Sequence, residues 1–179
     1  MAERALVLID IQNDYFPGGS MALEGPEAAS ANAARALAQF RSRGEPVLHV
    51  RHLSVRPGAT FFIPGTEGAE IHASVRPREG ETVVQKNFPN SFRGTELDTL
   101  LKGARVGELV VAGMMTHMCV DATVRQAADL GYKVTLLGDA CATRAQSYAG
   151  ETVPARQVHA GFLAALNGFY AKVITAREL

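Results

Sequence analysis

Three side chains in this 179-residue sequence could do covalent chemistry together: a carboxylate at Asp10, an ammonium at Lys86 and a thiol at Cys119. The thiol lies in "GMMTHMCVDATVRQAADLG", at the front edge of a stretch with helical character. A carboxylate can take a thiol proton, and a nearby ammonium favours the charged forms of both groups. The start of a helix adds its dipole to the stability of a thiolate. Each residue also has a plainer use: an aspartate closes turns, a lysine after a strand stands in water, and a lone cysteine packs as a small hydrophobe. What separates the two readings is whether the fold brings all three to one place.

Short apolar runs alternate along the chain with longer helical patterns. "RALVLID" (4–10), "PVLHVRH" (46–52), "TVVQK" (82–86), "ELVVAGM" (108–114), "YKVTLLGD" (132–139) and "AKVIT" (171–175) read as strands. "GPEAASANAARALAQFRSRG" (25–44), "GTELDTLLKG" (94–103), "CVDATVRQAADLG" (119–131) and "PARQVHAGFLAALNG" (154–168) read as helices. Residues 53–81, rich in Gly, Pro and charge, form a long excursion of the kind that usually serves function. The alternation predicts an α/β domain over 1–179, with helices on both faces of a parallel sheet. In such a sheet ligands bind beyond the carboxyl ends of the strands. Asp10 ends the first strand, Lys86 ends the third, and Cys119 follows the fourth by a tight turn, so all three fall on that edge.

Composition excludes several classes. The 18 basic and 18 acidic residues balance, which gives no reason to expect nucleic acid or an anionic membrane as partner. The apolar runs are strand-length and too short to span a bilayer. "MAERALVLID" reads as the approach to a strand and not as a secretory signal. The 2 cysteines, far apart, give neither a disulfide framework nor a zinc pattern, and a reducing cytoplasm is the expected compartment.

"LIDIQNDYF", "KNFPNSFRGTELDTLL" and "VVAGMMTHMCVDATVRQAADLGYKVTLLGDACAT", in that order, resemble the isochorismatase-like cysteine hydrolases, a superfamily that includes nicotinamidases and N-carbamoylsarcosine amidase. The resemblance implies a three-layer α/β/α sandwich around a six-stranded, mostly parallel sheet. It also implies Asp10 as general base, Lys86 as catalytic lysine and Cys119 as nucleophile. "GMMTHMC" matches the family's G-x-x-T-x-x-C loop, which places a non-proline cis peptide between Met114 and Met115 and an oxyanion hole at the Met115 and Cys119 amides. The implied chemistry is acyl transfer. Cys119 attacks a small amide or carbamoyl carbonyl, Asp10 shuttles the proton, and water activated by the same carboxylate releases the acid from a thioester.

Two relatives define the alternatives. Isochorismatase itself cleaves a vinyl ether without needing the cysteine, and a member of the family could also be an idle binding subunit; the retained Asp10, Lys86 and Cys119 favour the amidase reading. Nicotinamidases bind a metal through an Asp-x-His on the second strand, where this chain has "VLHVRHLS". His49 and His52 are three apart and should face opposite sides of a strand. The expectation is therefore no metal and no cofactor. Phe16, Phe61, Phe62 and Phe92 lie on loops that could wall the substrate pocket, and His117 lines the nucleophile loop at most. Cys141, at the end of strand five, is expected to be structural. Members of the family commonly form symmetric oligomers, and "FFIPGTEG" (61–68) could cover a neighbouring subunit's site, so a homodimer or homotetramer is expected.

Overall fold

The computed structural model describes residues 3–179; Met1 and Ala2, the start of the expected domain, lie outside the described residues. Six strands form one all-parallel sheet: β1 (Glu3–Ile9), β2 (Val47–His52), β3 (Thr82–Lys86), β4 (Val106–Met114), β5 (Lys133–Ala142) and β8 (Lys172–Ile174). Their spatial order is β3-β2-β1-β4-β5-β8. The chain winds outward from β1 to β3, then crosses back to place β4 on the other side of β1. The order reverses between β1 and β4, and such a switch point opens a crevice at the carboxyl ends of the two strands.

Alternate residues of β1 feed two cores, as a strand covered on both faces requires. Leu6 and Leu8 join the α1 (Pro26–Arg43) layer, built on Ala33, Leu37 and Phe40. Ala5, Val7 and Ile9 join the opposite layer, where α2 (Leu97–Gly103), α3 (Asp121–Asp129) and α4 (Ala155–Leu166) supply Leu97, Leu101, Val124, Ala127 and Leu166. The result is the expected three-layer α/β/α sandwich. Helix α1 follows its sequence signals: Pro26 in the first turn, arginines in the last, and Gly44 closing it with φ 65°.

Two features were not foreseen. A short antiparallel ribbon, β6 (Gln146–Tyr148) and β7 (Glu151–Val153), follows β5 and turns through Ala149 and Gly150, both at positive φ. Two residues of positive φ suit a tight hairpin. The segment expected to start as α-helix at Cys119 instead opens with a π-helical turn, Thr116–Val120, and α3 begins only at Asp121. Among the described residues no helix is long and apolar enough to cross a membrane.

Candidate active site

Asp10 stands immediately beyond β1, at the switch point, in the left-handed region with φ 51°. A non-glycine residue there is strained and is held by its surroundings. Its N–H donates to the Val50 carbonyl at 3.0 Å, and its own carbonyl accepts from the Gln12 N–H at 2.9 Å. Lys86 ends β3, with β2 between it and β1. Its long stem spans that gap, so that Nζ lies 2.8 Å from Asp10 Oδ2 and donates to the Pro89 carbonyl at 2.8 Å. Cys119 sits within the π-helical turn that follows β4. Gly113, at φ 145°, permits the approach: a Cβ there would collide with the Ile9 backbone next to Asp10. The Met114–Met115 peptide is cis, and the Met115 carbonyl accepts from the N–H groups of Met118 and Val120.

The fold adds a fourth group. His52, the last residue of β2, places Nδ1 3.7 Å from Asp10 Oδ2 and 3.9 Å from Cys119 Sγ. The backbone of His52 is clamped by the buried Gln12, whose Oε1 accepts from the His52 N–H at 2.7 Å and whose Nε2 donates to its carbonyl at 2.9 Å. The same Nε2 donates to the Ala69 carbonyl at 2.8 Å, tying the 53–81 excursion to the site. Asp14 does similar work, accepting from the N–H groups of Ser20 and Phe62. Gly68 packs so close to the Asp14 carboxylate that a Cβ would overlap it. The D-x-Q-x-D pattern of "LIDIQNDYF" thus combines one carboxylate at the site with two residues that fasten the chain around it. The pattern was legible, but these separate duties were not.

Burial decides the electrostatics. Asp10, Lys86 and Cys119 are 0%, 1% and 2% exposed. Burial pushes the Asp10 carboxyl up, but the Lys86 ammonium and His52 outweigh it and hold the acid below its ordinary range. Lys86 is likewise driven down by burial and up by Asp10 and Cys119, with a net rise that keeps it charged. The Cys119 thiol is pushed up, first by burial and then by the Asp10 carboxylate, against a smaller opposing pull from Lys86. The ammonium and the helix start, which by themselves favour a thiolate, are therefore outweighed by burial. The thiol's surroundings already hold one anion for one ammonium, and a second buried anion is unfavourable until its proton has somewhere to go. Oδ2 of Asp10 is taken by the Lys86 ammonium, while among the described residues Oδ1 has no hydrogen-bond partner and is left as a free acceptor.

The four phenylalanines expected as pocket walls divide. Phe62 is fully buried, 5.8 Å between ring centres from His52 and 4.6 Å from Tyr15. Phe61 packs on both Phe62 and Tyr15. Phe16 stacks on His72 at 3.6 Å and lines a cavity of about 550 Å³ with Asp14 and Thr60. Phe92 is a correction: it stacks on Tyr132, which precedes β5 at the opposite edge of the sheet, so it belongs to the packing beneath α2. Within "FFIPGTEG", Phe62 is buried in its own chain and packs toward His52, while residues 64–67 are exposed. His117 bonds to Thr143 through Nδ1, away from the thiol. Cys141 is buried with its thiol directed at the Leu137 carbonyl, 3.4 Å away.

His49 and His52 part as their spacing requires, His49 turning to Glu81 at 2.9 Å. Asp10, His52 and Cys119 bring one ligand atom each within 4.8 Å of one another. The Lys86 ammonium already neutralises that carboxylate at 2.8 Å, so a cation placed there would face a buried positive charge. The residues do not suit a resident metal.

Comparison with known proteins follows the same lines. The family profile described as "Isochorismatase domain" matches residues 4–178. An uncharacterized isochorismatase family protein of Bacillus subtilis, YddQ, is 56% identical over 96% of this chain and 95% of its own length. A crystal structure of an isochorismatase hydrolase from Oleispira antarctica superposes with a TM-score of 0.95 at 50% identity, covering 99% of this chain and 95% of the other. The nicotinamidase of Escherichia coli is 29% identical, over 79% of this chain and 84% of its own length.

Proposed function

The chain belongs to the isochorismatase family and is a cysteine hydrolase of small amide or related C–N bonds, and from that premise we propose that Cys119, Asp10 and Lys86 carry the reaction. The observation that supports these roles is the buried grouping of the three at the switch point, where the Asp10 carboxylate pairs with Lys86 through Oδ2 and keeps Oδ1 free near the Cys119 thiol. Asp10 takes the Cys119 proton as sulfur attacks the carbonyl carbon. Transfer to a carboxylate turns an unfavourable second anion into one that merely moves from oxygen to sulfur, while Lys86 neutralises whichever group bears it. The Met115 and Cys119 amides hold the developing oxyanion. Protonated Asp10 then gives its proton to the leaving nitrogen, the C–N bond breaks, and water hydrolyses the thioester.

A small substrate is part of this reading, because the aromatic cluster of Phe61, Phe62 and Tyr15 packs beside His52 at the site. A panel of primary amides and ureido acids, read by ammonia release, tests the reading. At least one member is turned over, and the rate is unchanged after prolonged treatment with a chelator, since a thiolate attacks and no Lewis acid is needed. Ammonia release lost on chelation and restored by zinc, iron or manganese would replace this scheme with a metal-dependent one. A homo-oligomer remains part of the proposal. Beside the 61–68 loop, its support is Tyr148 on the ribbon and Phe169 near the C-terminus, each 86% exposed. Light scattering at micromolar concentration should give a multiple of the 19.1 kDa chain mass; a monomer removes it.

A further inference from the structure

We propose that His52 is the base of the second half-reaction, activating the water that hydrolyses the Cys119 thioester. The proposal rests on the thioester reading above and gives to His52 the water activation that the family resemblance implies for Asp10. Asp10 and Lys86 have no exposed side-chain surface, and Cys119 is 2% exposed, whereas the His52 side chain is 13% exposed. His52 is the member of the cluster that reaches outward, so water arriving at the thioester meets it first. Its two ring nitrogens are differently placed. Nδ1 faces inward, 3.9 Å from Sγ and 3.7 Å from Asp10 Oδ2, while among the described residues Nε2 makes no hydrogen bond within the chain. A distance of 3.7 Å is too long for a hydrogen bond in the free enzyme. It is still close enough for the carboxylate to favour the tautomer with its proton on Nδ1, which leaves the Nε2 lone pair free. Phe62 packs against the ring, and the Gln12 clamp holds the backbone through bonds that do not involve the imidazole.

The step balances. Water oxygen attacks the thioester carbonyl carbon while Nε2 takes one of its protons. The tetrahedral intermediate collapses with cleavage of the C–S bond, the electron pair goes to sulfur, and Nδ1 delivers its proton to the departing Sγ. The carboxylic acid leaves, and the thiol is restored. The imidazole finishes as its other tautomer and returns to the first by exchange with solvent at Nε2. Asp10 is thereby left ionised and paired with Lys86, ready for the next thiol proton.

Pre-steady-state hydrolysis of p-nitrophenyl acetate tests this, because nitrophenolate leaves without needing a proton and acylation is read apart from deacylation. In His52→Gln and His52→Ala the nitrophenolate burst should keep its amplitude and stay within about threefold of the wild-type rate. Steady-state turnover should fall by about 10²-fold or more, the usual scale of a lost general base. Intact mass should show an acetyl group accumulating on Cys119. Hydroxylamine, which attacks thioesters without a base, should restore turnover in both variants. A merely structural role predicts a smaller burst and no such rescue. Burst and turnover falling together, turnover left unchanged, or accumulation without hydroxylamine rescue would each overturn the assignment. A wild-type enzyme never acetylated on Cys119, or a Cys119→Ala burst, would instead overturn the thioester reading.

Discussion

Cys119→Ala should abolish turnover and eliminate the acyl adduct that a slow substrate is expected to leave on the wild-type protein. In the proposed reaction Cys119 supplies the attacking electron pair, and its neighbours are poorly placed to replace it: Asp10 is tied to Lys86, and Cys141 lies in β5 with its thiol directed at the Leu137 carbonyl. Burial pushes the Cys141 thiol up to about 12, which leaves it inert at neutral pH. Because Cys119 is buried among Val120 and Val124, removal of its sulfur should also cost a little packing, roughly 1 kcal/mol. Cys119→Ser keeps most of the shape and should lose activity to a similar degree, so activity and stability can be separated. Peptide mapping of the wild-type adduct decides the assignment. An adduct on Cys141, or near-normal turnover in Cys119→Ala, contradicts it.

Asp10→Asn should slow acylation by about 10²–10⁴-fold, because the thiol loses the acceptor for its proton while the site keeps its shape. It should also destabilise the protein, by roughly 3–5 kcal/mol, since the buried Lys86 ammonium is left without a counter-charge. The two effects come apart in the double variant Asp10→Asn/Lys86→Met. Removing both charges should recover much of the stability and none of the activity. Lys86→Met alone should raise the Cys119 thiol further and slow its alkylation by iodoacetamide near neutral pH, because Lys86 is the one neighbour that pulls the thiol down. Acylation at the wild-type rate in Asp10→Asn would remove the carboxylate from the reaction.

Much of this molecule is legible from residue order. The continuous apolar runs require strands covered on both faces, the glycine- and proline-bounded helices between them require parallel crossovers, and that topology sends Asp10, Lys86 and Cys119 to one edge. The motif residues narrow the chemistry to a cysteine hydrolase without any distance being known. Other features depend on contacts far apart in the chain. His52 could not be assigned, because strand alternation says only that it faces away from His49; what it faces is set by β1 and β4 arriving on its other side. Phe92 resembles a pocket residue by its closeness to Lys86 in sequence, yet the turn after β3 carries it to Tyr132. The state of the thiol is the clearest case. A helix start and a nearby lysine both favour a thiolate, and these are local facts. Burial of Cys119 beside an ionised carboxylate is a tertiary fact, and it prevails because the cost of a second buried anion exceeds what a dipole and one shared ammonium return. Residue order determined that Asp10, Lys86 and Cys119 share one edge; the packing decided that the thiol is buried beside an ionised carboxylate, which pushes it toward its protonated form.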